Sequence, residues 1–117
     1  MAEQLILIVD DDPRVVGQLA AGFIARGYRV ETASNGKEAL RILDRVRPIL
    51  VLLDTDMPVL DGWGFANELR ARGLHLPIVL LCDDEAAGRM ATEIGAAGYL
   101  SKPHIGQSVN GSGAAAA

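Results

Sequence analysis

The chain has a single cysteine, only 4% aromatic residues and just two lysines against nine arginines. With no partner thiol, Cys82 cannot close an internal disulfide, which suits a reducing compartment. No apolar run approaches the roughly 20 residues that a membrane-spanning helix needs. An excess of basic charge is also missing: 11 Lys and Arg face 15 Asp and Glu, for a net charge of −4. The basic residues are scattered singly among acids, whereas phosphate-backbone binding needs them clustered, so nucleic acid is not expected as a partner of this domain. Met1-Ala2-Glu3-Gln4 lacks the basic stretch of a secretory signal, and a cytoplasmic location is expected.

Half of the 117 residues are hydrophobic, enough for one folded domain that buries roughly 65% of its unfolded surface. Leu5-Ile6-Leu7-Ile8-Val9, Leu50-Val51-Leu52-Leu53 and Ile78-Val79-Leu80-Leu81 are short continuous apolar runs, the pattern of strands buried on both faces of a parallel sheet. Arg29-Val30-Glu31-Thr32-Ala33 and Tyr99-Leu100-Ser101 are more polar or shorter, as edge strands are. Between the runs, helical spacing groups Val15, Val16, Leu19, Phe23 and Ile24, then Ala39, Leu40, Leu43 and Val46, then Phe65, Ala66 and Leu69, then Ala86, Ala87, Met90 and Ile94. Gly27, Gly73 and Gly95 stand where left-handed caps close helices, and Pro48 is expected to stop the second. Strict alternation of strand and helix predicts a doubly wound α/β domain with right-handed crossovers.

In such sheets ligands sit beyond the carboxyl ends of the strands, so acids there carry the most information. Asp10, Asp11 and Asp12 follow the first apolar run, and Asp54 ends the third, with Asp56 two residues on. If those strands are neighbours, Asp10, Asp11 and Asp54 converge. Two carboxylates about 4 Å apart repel by roughly 4 kcal/mol at an effective dielectric of 20, and a cation must offset that. Mg²⁺, a hard ion with oxygen ligands, fits such a cluster and leaves a position for a phosphoryl oxygen. Lys102, after the last strand, could supply a compact second positive charge. Asp12 before Pro13 also reads as a helix cap with Pro at the first helical position, and Asp61 before Gly62 as a cap or turn.

The segments Leu5–Pro13 (LILIVDDDP), Val51–Pro58 (VLLDTDMP) with Asp61-Gly62, Pro77–Leu81 (PIVLL) and Gly95–Pro103 (GAAGYLSKP) together resemble the response-regulator receiver domain of two-component signalling. That resemblance implies a five-stranded parallel sheet in the flavodoxin-like order 2-1-3-4-5 and a receiver domain over residues 1–104, while residues 105–117, with few apolar anchors, three Gly and a run of Ala, read as a low-complexity tail or linker stub. It also implies a phosphoacceptor role for Asp54, with Asp11 and Asp54 as direct Mg²⁺ ligands, Asp10 acting mostly through water and Asp56 offering its backbone carbonyl. Lys102 would pair with the phosphoryl oxygens. The donor would be a histidine kinase or phosphotransfer protein. On this reading the chain is a signalling domain that supports phosphoryl transfer to its own Asp54 and its hydrolysis, not an enzyme.

The chain departs from the family pattern in several places. Cys82 occupies the position where a Thr or Ser usually meets the phosphoryl group, and a thiol is a weak donor. Asp83 stands where a small residue is usual. Tyr99 matches the switch aromatic, or else packs locally as an edge-strand residue. After Lys102-Pro103 no amphipathic last helix can be read, so a sheet face is expected to be left partly bare: a homodimer partner, another protein or the tail covers it, or the chain is an altered or truncated form. These departures keep open an alternative: a receiver-fold binding module whose phosphorylation switch is weakened or lost. Asp54-Thr55-Asp56 also resembles an aspartyl-nucleophile phosphatase motif, but that motif normally ends a first strand and needs far more chain after it.

Overall fold

The structure, a computed structural model, describes residues 4–54, 62–82 and 96–101, and for Trp63, Cys82 and Ser101 the backbone alone. Five strands form one sheet: β1 (Leu5–Val9), β2 (Arg29–Ala33), β3 (Leu50–Asp54), β4 (Ile78–Cys82) and β5 (Gly98–Ser101). Their order is β2-β1-β3-β4-β5 and every pairing is parallel, so the two polar strands are the edges, as their composition implied. Three helices are described: α1 (Pro13–Ala25), α2 (Gly36–Leu43) and α3 (Gly62–Ala71). None of the described helices is long and apolar enough to cross a membrane.

Strand side chains alternate between faces, and described helices pack on both faces, which is why the central runs are continuously apolar, although Leu50, Val79 and Leu100 on the α1 face are only partly buried. Ile6, Ile8, Leu52 and Leu81 form one core layer, with Val16, Leu19, Ala20 and Phe23 of α1 packed against it. On the opposite face Leu7, Val9, Val51, Leu53 and Leu80 pack with Ala39, Leu40 and Leu43 of α2 and Phe65, Ala66 and Leu69 of α3. Ile24, which helical spacing places with the buried stripe of α1, is 59% exposed. At about 100° per residue it lies roughly 90° from the centre of the Val16-Leu19-Ala20-Phe23 stripe, which turns it to solvent.

Local chemistry sets the helix ends. Asp12 caps α1, its Oδ1 accepting the Arg14 N–H at 2.9 Å, with Pro13 first in the helix. Gly27 and Gly73 adopt φ of +93° and +70°, the left-handed conformation that closes α1 and α3. At the start of α2, Asn35 Oδ1 accepts the Glu38 N–H at 2.8 Å and Glu38 Oε1 accepts the Ser34 N–H at 2.7 Å. The sequence signal for that reciprocal cap, Asn followed three residues later by Glu, was there to be read. The other end of α2 differs from expectation. The helix stops at Leu43, before reaching Pro48, because the Asp44 and Arg45 N–H groups donate to carbonyls three residues back. Val46 leaves the helix and still packs on the core. Arg72 then ties this end to α3, donating to Asp44 Oδ1 at 3.0 Å and to the Leu40 carbonyl and Glu68 at 3.4 Å.

The fourth helix expected around Ala86 to Ile94, its cap Gly95, Asp61, Asp83 and the tail with its unreadable last helix lie outside the described residues.

Candidate functional site

A parallel sheet gathers the carboxyl ends of all its strands on one edge. Val9 pairs with Leu53 across β1 and β3, so the next residues, Asp10 and Asp54, leave two adjacent central strands at the same level. The Asp10 N–H donates to the Ala33 carbonyl at 3.1 Å, which extends the pairing toward β2 and fixes the backbone at the site. Asp10 and Asp54 are both buried, 2% and 1% exposed, while Asp11 faces solvent. One carboxylate oxygen from each of the three lies within 4.8 Å of the other two. The sequence expectation that these acids converge is met.

Burial deprives Asp10 and Asp54 of much of their hydration, and the three charges within 4.8 Å repel. At an effective dielectric of 20 a pair at 4.8 Å costs about 3.5 kcal/mol, and a closer pair more. The Asp12 N–H relieves part of this by donating to Asp10 Oδ1 at 2.9 Å. Asp12 itself turns away to Arg14, whose side chain donates to it and holds its carboxyl below the usual carboxylate range. The donor set is all carboxylate oxygen, and its spread is near the roughly 3.0 to 4.2 Å between oxygens on one octahedral Mg²⁺. One exposed and two buried carboxylates would give a cation an approach from solvent and a fixed floor.

The receiver-domain model of response regulators matches residues 6–109. The chain belongs to that family. It is similar to the transcriptional regulatory protein PrrA of Mycobacterium leprae, 41% identical over 105 residues that cover 86% of this chain and 44% of PrrA. It is likewise similar to the alkaline phosphatase synthesis regulator PhoP of Bacillus subtilis, 38% identical over 107 residues that cover 90% of this chain and 45% of PhoP. The chain thus spans less than half the length of these relatives. Among solved structures, the chemotaxis protein CheY4 of Vibrio cholerae superposes with a TM-score of 0.80 at 30% identity, over 88% of this chain and 89% of that one. The response regulator TrrA of Thermotoga maritima, in complex with Mg²⁺ and beryllofluoride, gives 0.76 at 31% identity over 87% and 89%. The domain is a receiver of two-component signalling, with the flavodoxin-like sheet order of its relatives.

The remaining expected site residues of this receiver divide into two sets. Cys82 ends β4 and pairs with Ser101 of β5, at the same carboxyl edge as the acids. Tyr99, on the outer strand, is 51% exposed. Lys102 and Asp56 lie outside the described residues. Arg14 was not singled out in the sequence. Its spacing from the capping Asp12 matches none of the helix ion-pair patterns, so only the folded first turn reveals the contact.

Proposed function

We propose that Asp54 is the phosphoacceptor of this receiver and takes its phosphoryl group, in a Mg²⁺-dependent transfer, from a histidine kinase or phosphotransfer protein. The convergence of Asp10, Asp11 and Asp54 on one point at the end of β1 and β3 carries this reading. Bound Mg²⁺ would supply positive charge against the oxygens of the transferring group. Asp11 and Asp54 would hold the ion directly, Asp10 mostly through water and Asp56 through its backbone carbonyl. The Asp54 carboxylate oxygen forms the new bond to phosphorus as the donor's bond to phosphorus breaks, and the leaving group keeps the electron pair. Burial of Asp54 limits the hydration of the nucleophile and would restrict its side-chain freedom. Lys102 would pair with the phosphoryl oxygens, Cys82 would meet them at the switch position, and Tyr99 would be the aromatic that responds. Hydrolysis of the acyl phosphate at the same site would return the carboxylate.

The domain would act in the cytoplasm, where its kinase donors present phosphohistidine. Transcriptional control, the role in the names of PrrA and PhoP, is the proposed output of a protein that carries this domain. A homodimer or another protein is the proposed cover for the apolar sheet face beside α1, where Leu50, Val79 and Leu100 are only partly buried.

The test is incubation with acetyl phosphate and read-out by intact mass. Wild type should gain one phosphoryl group with Mg²⁺ and none with EDTA, and Asp54→Asn should gain none. Labelling of Asp54→Asn equal to wild type would remove the assignment.

A further inference from the structure

Arg14 is the second residue of α1, on the same sheet edge as the acidic cluster. Its Nε and Nη2 each reach a carboxylate oxygen of Asp12 at 3.4 Å, and Asp12 in turn donates its N–H to Asp10 Oδ1 at 2.9 Å. The guanidinium side chain is 71% exposed, so it lies in the water through which ions approach. This cation treats the two ions that the site needs in opposite ways. It repels Mg²⁺, which the carboxylates attract, and it attracts an anionic phosphodonor, which the carboxylates repel.

We propose that Arg14 steers small anionic phosphodonors toward Asp54, with Asp12 partly neutralising it and so setting the strength of the effect. This rests on the assignment of Asp54 as phosphoacceptor. Arg14 is a positioning residue for the encounter and makes no bond to the transferring group. Its effect must scale with donor charge and fade with salt, because it acts through solvent.

The experiment compares second-order phosphorylation rates with acetyl phosphate, a dianion near neutral pH, and with phosphoramidate, which is less negative. At about 10 mM ionic strength Arg14→Gln should slow acetyl phosphate roughly two- to threefold, shrinking below about 1.5-fold at 0.5 M salt. The loss should be smaller with phosphoramidate. Asp12→Asn, which keeps a capping side chain, should change the acetyl phosphate rate the other way. Calorimetric Mg²⁺ binding without donor supplies a read-out that structural damage would move differently: Arg14→Gln should bind Mg²⁺ slightly more tightly while reacting more slowly. Lys37, in the first turn of α2 at the same edge, is the control. Unchanged rates, a loss independent of salt, weaker Mg²⁺ binding, or an equal loss in Lys37→Gln would each overturn the steering role while leaving Asp54 in place. Absence of labelling in wild type would overturn both.

Discussion

Val9 and Leu53 stand side by side on β1 and β3, and this single register places Asp10 next to Asp54. The sheet core thereby holds two buried carboxylates close together against their repulsion. Stability and metal binding should therefore trade off. Without Mg²⁺, Asp10→Asn or Asp54→Asn should raise the stability of the domain by about 1 to 3 kcal/mol, the repulsion removed less the hydrogen bonding lost. With 10 mM Mg²⁺ the wild type should gain melting temperature by mass action and the variants should gain less. Thermal unfolding with and without the ion checks both signs, and a variant less stable than wild type in EDTA would show that the carboxylates are not in conflict.

The two faces of the sheet make unequal demands on single residues. Leu53→Ala removes a fully buried side chain from between α2, α3 and β4, and should cost about 2 to 5 kcal/mol. Ile24→Gln, on the outer side of α1, should change stability by less than about 0.5 kcal/mol. Urea unfolding of the two variants measures the contrast. A loss at Ile24 comparable with that at Leu53 would mean that something covers this part of α1 in solution.

The contrast also shows what could be read without a structure. The runs around Ile8, Leu52 and Leu80 were legible because short, continuously apolar runs bounded by polar and turn residues suit strands buried on both sides, and acids at the ends of such strands share one edge of the sheet. The edge positions of β2 and β5 followed from their polarity. Ile24 and Val46 were misplaced because periodicity marks a helical stripe but not its width or where the helix stops. The end of α2 is set by hydrogen bonds of Asp44 and Arg45 to carbonyls three residues back, and by Arg72 reaching across from beyond α3. Neither is a spacing in the sequence. The Arg14 contact is hidden for the same reason, since in the sequence Asp12 reads only as a cap.

The reciprocal cap of α2 offers a test of that local control. Asn35→Ala removes the acceptor of the Glu38 N–H and should cost about 1 kcal/mol, with Asn35→Asp close to neutral. Amide exchange should quicken first in residues 36 to 39. Uniform exchange across α2 would show that packing of Leu40 and Leu43, not the cap, holds the first turn.

Asp12 gives a pH signature. Its carboxyl is held below the usual range by Arg14, first through the side-chain hydrogen bond and then through the Arg14 backbone N–H. A depressed native pKa means that the charged form favours the folded state. Its contribution is therefore fully present above the unfolded value, about 3.9, and is lost as pH falls through the lower native value. The stability difference between wild type and Asp12→Asn should be flat above about pH 5 and should shrink as the solution is acidified below about pH 4. Carboxyl carbon shifts should titrate Asp12 below the unfolded value in wild type and closer to it in Arg14→Gln. An Asp12 midpoint that Arg14→Gln leaves unmoved would assign the depression to the helix end alone.

Cys82 ends β4 opposite Ser101 at the edge where the phosphoryl group would sit, and the family usually places a hydroxyl there. A hydroxyl donates a stronger hydrogen bond to a phosphoryl oxygen than a thiol does, and a ligand shifts a two-state loop only as far as it contacts the two states differently. Cys82→Thr should therefore enlarge the change that beryllofluoride and Mg²⁺ produce, read from the fluorescence of Trp63, the single tryptophan. Mg²⁺ affinity without the anion should stay the same, because the threonine is not a metal ligand. An identical beryllofluoride response in both proteins would show that the thiol transmits the phosphoryl signal as well as the hydroxyl does. The departure at this position would then have no bearing on switching.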